Sequence, residues 1–280
     1  MPPWSRSTRA DADTCPVSPA ERIWLDTGLD WCRREFGVAV ARNPIALPTA
    51  DFFPADFAGS GGQVDELVRR VGAVMGADAG SLTVKLFGSL SSDGRAASKD
   101  RIGRRTVGRY RSVGGRNQIE LDLARADEPA VFAAVVAHEL GHVRVLGEAP
   151  RVHDHYGVDD EQLTDLVTVH LGMGIFTANA AYRYTKSVRG FSVLPMGDLT
   201  DRMLTGTAHD PTFALGYLST NQYGYALARH CLLRGETDPP WSRYLEPGVR
   251  LAFLRALRHL AAATPPHPAP PPTAPPSPRS

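Results

Sequence analysis

The stretch VVAHELGHVRVLGE, residues 135–148, constrains this chain more than any other. It lies within DEPAVFAAVVAHELGHVRVLG, which has Asp127 or Glu128 near its start, Pro129 in the first turn and Gly147 at its end. These are helix start and stop signals in their expected places. Residues four apart on a helix stand about 40° apart around its axis, so His138 and His142 share a face and can reach one ion, with Glu139 between them in projection. Burying two imidazoles and a carboxylate without partners is costly. A metal ion held by this face would offset that cost.

HExxH alone recurs by chance, and a third ligand separates signal from accident, because a catalytic zinc takes three protein ligands and keeps one open position. Eighteen residues separate His142 from Glu161, giving HExxH-x18-E. Four residues further on, Asp165 shares the face of Glu161 and can accept a hydrogen bond from the outer nitrogen of a ligand histidine.

HELGH (138–142) followed by DEQLTD (160–165) resembles the gluzincin zinc metallopeptidases, the thermolysin-like and neutral-aminopeptidase-like enzymes. The resemblance is close from the HELGH motif to Asp165 and looser over 116–180. It implies that His138, His142 and Glu161 bind one Zn2+ and that Glu139 is the general base and proton shuttle for a zinc-activated water. It also implies that Asp165 orients a ligand histidine. The implied fold is zincin-like, with NQIELDLA (117–124) as the sheet edge beside the active-site helix, where an extended peptide substrate pairs. No G-x-M-E-N motif for holding a free amino terminus is present, so exopeptidase action has no support. LTDL and GIFTAN resemble stretches of bacterial proteins, without implying a substrate.

Other residues compete for roles. Glu148 stands where the other large zincin class places its third ligand, but Val145 occupies the position of the glycine that this geometry needs. His170 is nine helical residues from Glu161, hence half a turn away, and is expected in the core or at an interface. His153 and His155 fall in a connecting loop and are read as solvated. Amide hydrolysis needs a donor for its oxyanion, and Tyr217, Tyr223, Tyr225, His209 and His230 qualify by type. Tyr225 is the choice, because the small Gly224, Ala226 and Ala228 allow close helix approach to the site.

Around this motif the pattern is α+β: a small N-terminal sheet, the active-site helix, then a mostly helical C-terminal part. Ser18, Pro19 and Glu21 open a helix that ends near Gly37, and Val64, Leu67, Val68, Val71 and Val74 mark a second. Strands are expected at SLTVKLFGS, RRTVGRYRSV and NQIELDLA, the last with Ile119, Leu121 and Leu123 on one face. DDEQLTDLVTVHLGMGIFTANAA (159–181) reads as one helix, and STNQYGYALARHCLLRG and GVRLAFLRALRHLAAA as two more. The expected division is a disordered segment 1–18, a metallohydrolase domain 19–262 with its α/β part to about 126, and a proline-rich disordered tail 263–280.

With 280 residues, 42% hydrophobic and 22% charged, the chain has enough material for a large core. A net charge of +1 argues against a nucleic-acid binder driven by global electrostatics, and no run of about 18 consecutive apolar residues is present for a membrane span. Without a secretory pattern at the N-terminus, a cytoplasmic location is expected. The three cysteines are scattered and favour neither disulfides nor a thiolate zinc site. One local asymmetry stands out: residues 95–116 hold eight basic residues against Asp100 alone, which suggests an acidic substrate or partner and gives only weak support to nucleic-acid binding. The expected function is zinc-dependent peptide hydrolysis. The alternative is a catalytically silent zincin-fold binding or regulatory module, with residues 187–216 over its cleft and the proline-rich tail recruiting a partner.

Overall fold

The computed structural model describes residues 15–88, 108–147, 160–189 and 218–263. Glu148, His153, His155, His209, Tyr217, most of 187–216, residues 95–107 and the proline-rich tail from 264 onward lie outside these ranges. Within them the architecture is mixed α+β and mostly helical, with a three-stranded sheet.

Helix α1 (Pro19–Phe36) begins as its sequence predicts: the Ser18 backbone N–H donates to Glu21 at 2.8 Å while the Glu21 N–H donates to Ser18 Oγ at 3.3 Å. It buries Leu25, Leu29 and Cys32. Helix α2 (Gly61–Met75) buries Val64, Leu67, Val68, Val71 and Met75. The Phe-rich connection between these helices folds back on the core, with the Phe52 and Phe53 rings 4.8 and 6.0 Å from that of Phe176.

Strands β1 (Thr83–Phe87), β2 (Gly108–Val113) and β3 (Arg116–Asp122) follow, in the spatial order β1-β3-β2. β1 runs parallel to β3 with Val84 opposite Ile119, and β2 runs antiparallel to it with Gly108 opposite Leu121. This corrects the expected edge: NQIELDLA supplies the central strand, and its Ile119 and Leu121 are fully buried. Leu123 has left the strand for a 3-10 turn. The edge strand beside the motif helix is β2.

Helix α3 (Pro129–His142) carries the motif through the core with Phe132, Ala133, Val136 and Ala137 fully buried. It continues as a π turn, Val143–Gly147, a form concentrated near functional sites. By length and composition Pro129–Leu146 could cross a membrane, yet 72% of that window is buried inside the protein, as in a core helix.

The stretch expected as one helix over 159–181 is two, α4 (Asp160–His170) and α5 (Gly174–Arg189). Gly172 adopts φ 92° between them and its carbonyl accepts the Ala46 N–H at 2.9 Å, a backbone course closed to an ordinary helix. Helix α6 (Thr220–Leu233) starts on a Ser219–Gln222 capping box, and α7 (Pro247–Ala263) crosses it closely because a Cβ on Gly224 would strike Ala252 and Phe253. The small face that suggested approach to the metal thus serves the α6–α7 crossing.

His170 and His230 are core residues with ring centroids 6.1 Å apart; the Gly37 backbone offers His170 a polar contact, while neither ring nitrogen of His230 has a hydrogen-bond partner among the described residues. Burial pushes His170 down from 6.5 to about 4 and His230, with the His170 and Arg234 charges adding, to about 3. Unfolded histidines take up protons near 6.5, so stability is full above that pH and is lost as pH falls toward 4 and then 3. We expect urea midpoints to drop across this window by the equivalent of about 1.4 kcal/mol per unit per histidine. His230→Phe should flatten the slope, and an unchanged slope would remove these residues from the acid response.

Candidate metal centre

The two motif histidines lie on one face of α3, and α4 crosses that face with Glu161 and Asp165 pointing back. Gly141 makes the crossing possible. A Cβ there would sit 2.7 Å from Thr164 Cγ2 and 3.3 Å from the Thr164 carbonyl, so any side chain would force the helices apart.

The approach brings His138, His142 and Glu161 together, with one ligand atom of each within 4.8 Å of the others. His138 Nε2 lies 2.9 Å and His142 Nε2 3.0 Å from the same oxygen, Glu161 Oε2. Tetrahedral zinc spaces its donor atoms at roughly 3.3 Å, so these are already near ligand spacing. The outer nitrogens are held too: His138 Nδ1–H donates to Asp165 Oδ1 at 2.9 Å, and His142 Nδ1 meets Thr164 Oγ1 at 3.2 Å. Asp165 in turn accepts the backbone N–H of Leu218 at 3.0 Å through Oδ2, tying the start of α6 to a motif histidine.

Each group's protonation is set by its neighbours in the cluster. Burial would depress His138, but hydrogen bonds to Asp165 and Glu161 hold it well above its ordinary value. Burial would raise Glu161, but hydrogen bonds from His138 and His142 pull it far below the usual carboxylate range. Burial pushes the Glu139 carboxyl up, although His142 and His138 draw it down. Glu139 is 5% exposed, and its Oε2 is buried with no hydrogen-bond partner among the described residues. The Glu161 side chain keeps 32% of its surface, so the cluster opens to solvent on that side. Two imidazoles and a carboxylate are a donor set that fits a divalent metal, and an orphaned carboxylate oxygen lies beside them.

β2 closes over the other side. Gly108 abuts Glu139, where a Cβ would collide with the carboxylate, and the Tyr110 ring stacks on His142 at 6.1 Å and 19°. The Tyr110 hydroxyl donates to Asn117 Oδ1 at 2.9 Å.

Tyr225, expected as the oxyanion donor, is not among the side chains that meet here. Its hydroxyl donates to both carboxylate oxygens of Asp26 on α1, at 3.1 and 3.2 Å, and Arg229 pairs with the same carboxylate at 2.8 Å. Tyr223 comes closer to the candidate ligands: its fully buried hydroxyl lies beside Asp165 and Thr177, and burial and the Asp165 charge push it well above its ordinary value. His170, the last residue of α4, packs against Phe36 and His230, as its half-turn offset implied. Thr164, Gly108 and Tyr110 were missed at the level of sequence. Thr164 had a usable signal, standing three residues after Glu161 on the same helical face.

No family model, curated protein or solved structure matches the chain. His138, His142 and Glu161 are the group among the described residues that can hold a metal ion.

Proposed function

We propose that this chain is a zincin-like zinc metallopeptidase of gluzincin type. The observation that carries the reading is the convergence of His138 Nε2, His142 Nε2 and Glu161 Oε2 beside the buried, unpartnered oxygen of Glu139. Two histidines and a glutamate are a donor set of catalytic zinc, with a fourth position left for water or substrate. When bound, the metal supplies Lewis-acid chemistry, polarising a carbonyl and acidifying water.

The chain's own groups do the rest. Asp165 fixes His138 with Nε2 toward the site, and Thr164 holds His142 in the same way. Glu139 takes the proton of the attacking water and delivers it to the leaving amide nitrogen. β2, whose other edge pairs with no strand among the described residues, receives an extended peptide by strand addition and runs it past Glu139.

The full-length protein should cleave members of an unbiased peptide library, lose that cleavage in chelator and regain it with added Zn2+. Metal-loaded protein that cleaves no peptide would overturn the reading.

A further inference from the structure

The helices that meet at the candidate metal centre also share buried polar groups. Asp165 and Thr168 on α4, Thr177 on α5 and Tyr223 on α6 are at most 4% exposed. Burying such groups is costly unless each finds a partner, and here they form a chain. Thr168 Oγ1–H donates to the Asp165 backbone carbonyl at 2.7 Å, and the Thr168 and Thr177 hydroxyls meet at 3.0 Å. The Thr168 proton is used on that carbonyl, so Thr177 is the donor in this contact. The chain converges on the Asp165 carboxylate, whose Oδ1 accepts His138 Nδ1–H at 2.9 Å and whose Oδ2 accepts the Leu218 N–H at 3.0 Å. Tyr223, in the first turn of α6, places its hydroxyl beside both Asp165 and Thr177.

A phenylalanine would fill the same space with no polar atom to satisfy, so what the tyrosine adds here is a donor. Thr177 already uses its proton on Thr168, and of the two groups beside the Tyr223 hydroxyl the carboxylate is the stronger acceptor. We propose that Tyr223 is a positioning residue of the metal centre: its O–H donates to the Asp165 carboxylate and fixes the orientation that turns His138 Nε2 toward Glu161 and His142. This rests on the reading of His138, His142 and Glu161 as metal ligands. Fully buried, Tyr223 has no surface to offer a substrate, so it acts through Asp165 and is no oxyanion donor. Leu218 and Tyr223 hold the same carboxylate, and the packing of α6 is thereby coupled to metal affinity.

Tyr225 supplies the control, because it lies on the same helix and its hydroxyl donates to a different carboxylate, that of Asp26. On the full-length protein, competition with a chromophoric chelator gives the Zn2+ affinity, and the visible spectrum of the Co2+-substituted form reports the ligand field. Tyr223→Phe should weaken Zn2+ binding about tenfold, the lower end of the range for groups that support ligand histidines, and shift the Co2+ bands. Tyr225→Phe should change neither, although it too removes a hydroxyl bonded to a carboxylate. In an Asp165→Asn background, Tyr223→Phe should alter the affinity by less than about twofold, since the two residues act through one carboxylate. Wild-type affinity and spectrum in Tyr223→Phe, an equal loss in Tyr225→Phe, or an undiminished loss in the Asp165→Asn background would each overturn the proposal. A wild type that binds no Zn2+ would overturn the metal reading itself and the proposal with it, so the two failures are distinguishable.

Discussion

Glu139→Gln is expected to leave the protein folded and metal-loaded while hydrolysis falls by a factor on the order of 10^2–10^4, the usual contribution of a positioned general base. The amide has nearly the shape of the carboxylate, so the contacts around Gly108 and Val135 survive. It cannot accept the proton of an attacking water. The buried Oε2 of Glu139 has no hydrogen-bond partner among the described residues, and Glu139 is not in the group whose ligand atoms converge on one point, so its replacement removes no metal ligand. Steady-state kinetics on a cleaved library peptide, with metal content measured on the same preparation, gives the result. Full activity in this variant would remove Glu139 from the mechanism, and loss of metal would make it a ligand.

Gly141→Val is expected to damage the site without touching a ligand. The helices α3 and α4 meet at this residue, and a Cβ would press on Thr164 through both its methyl group and its carbonyl oxygen. A helix backbone cannot yield as a flexible side chain does, so α4 must move outward, carrying Glu161, Thr164 and Asp165 with it. The cost from overpacking is about 1–3 kcal/mol of stability. Because the partners of both histidines shift together, metal affinity should fall by about 10–100-fold, the range seen when groups supporting ligand histidines are lost. Competition with a chromophoric chelator measures the affinity and urea unfolding the stability. A variant that loses stability but binds zinc as tightly as the wild type would show that the crossing does not set the ligand geometry.

The candidate metal-binding group was legible in the sequence because its geometry is local. His138 and His142 are one helical turn apart, as are Glu161 and Asp165, and each pair is positioned by helix periodicity alone. What remained was whether the two helices face each other, and Gly141 within HELGH is the residue that permits it. The elements around the site were less legible because their placement is set by pairing at a distance. Ile119 and Leu121 announce a half-buried strand, but nothing in NQIELDLA says whether it lies at the edge or the centre. That depends on β1 joining it in parallel on one side and β2 antiparallel on the other. The same holds for the tyrosines. Tyr223 and Tyr225 are two apart on one helix and so point in nearly opposite directions, one to Asp165 and the other to Asp26, and residue type cannot choose between them. Gly172 is a milder case, since LGMG carried a helix-stop signal that the apolar periodicity on either side obscured.

The central claim is that His138, His142 and Glu161 hold one metal ion in common, and metal analysis of the purified full-length protein tests it most directly. After equilibration with Zn2+ and removal of unbound ion, the wild type and Glu139→Gln should each retain about one zinc per chain, while His142→Ala, which keeps two of three ligands, should retain little. Stoichiometric zinc in His142→Ala, or none in the wild type, would contradict the account.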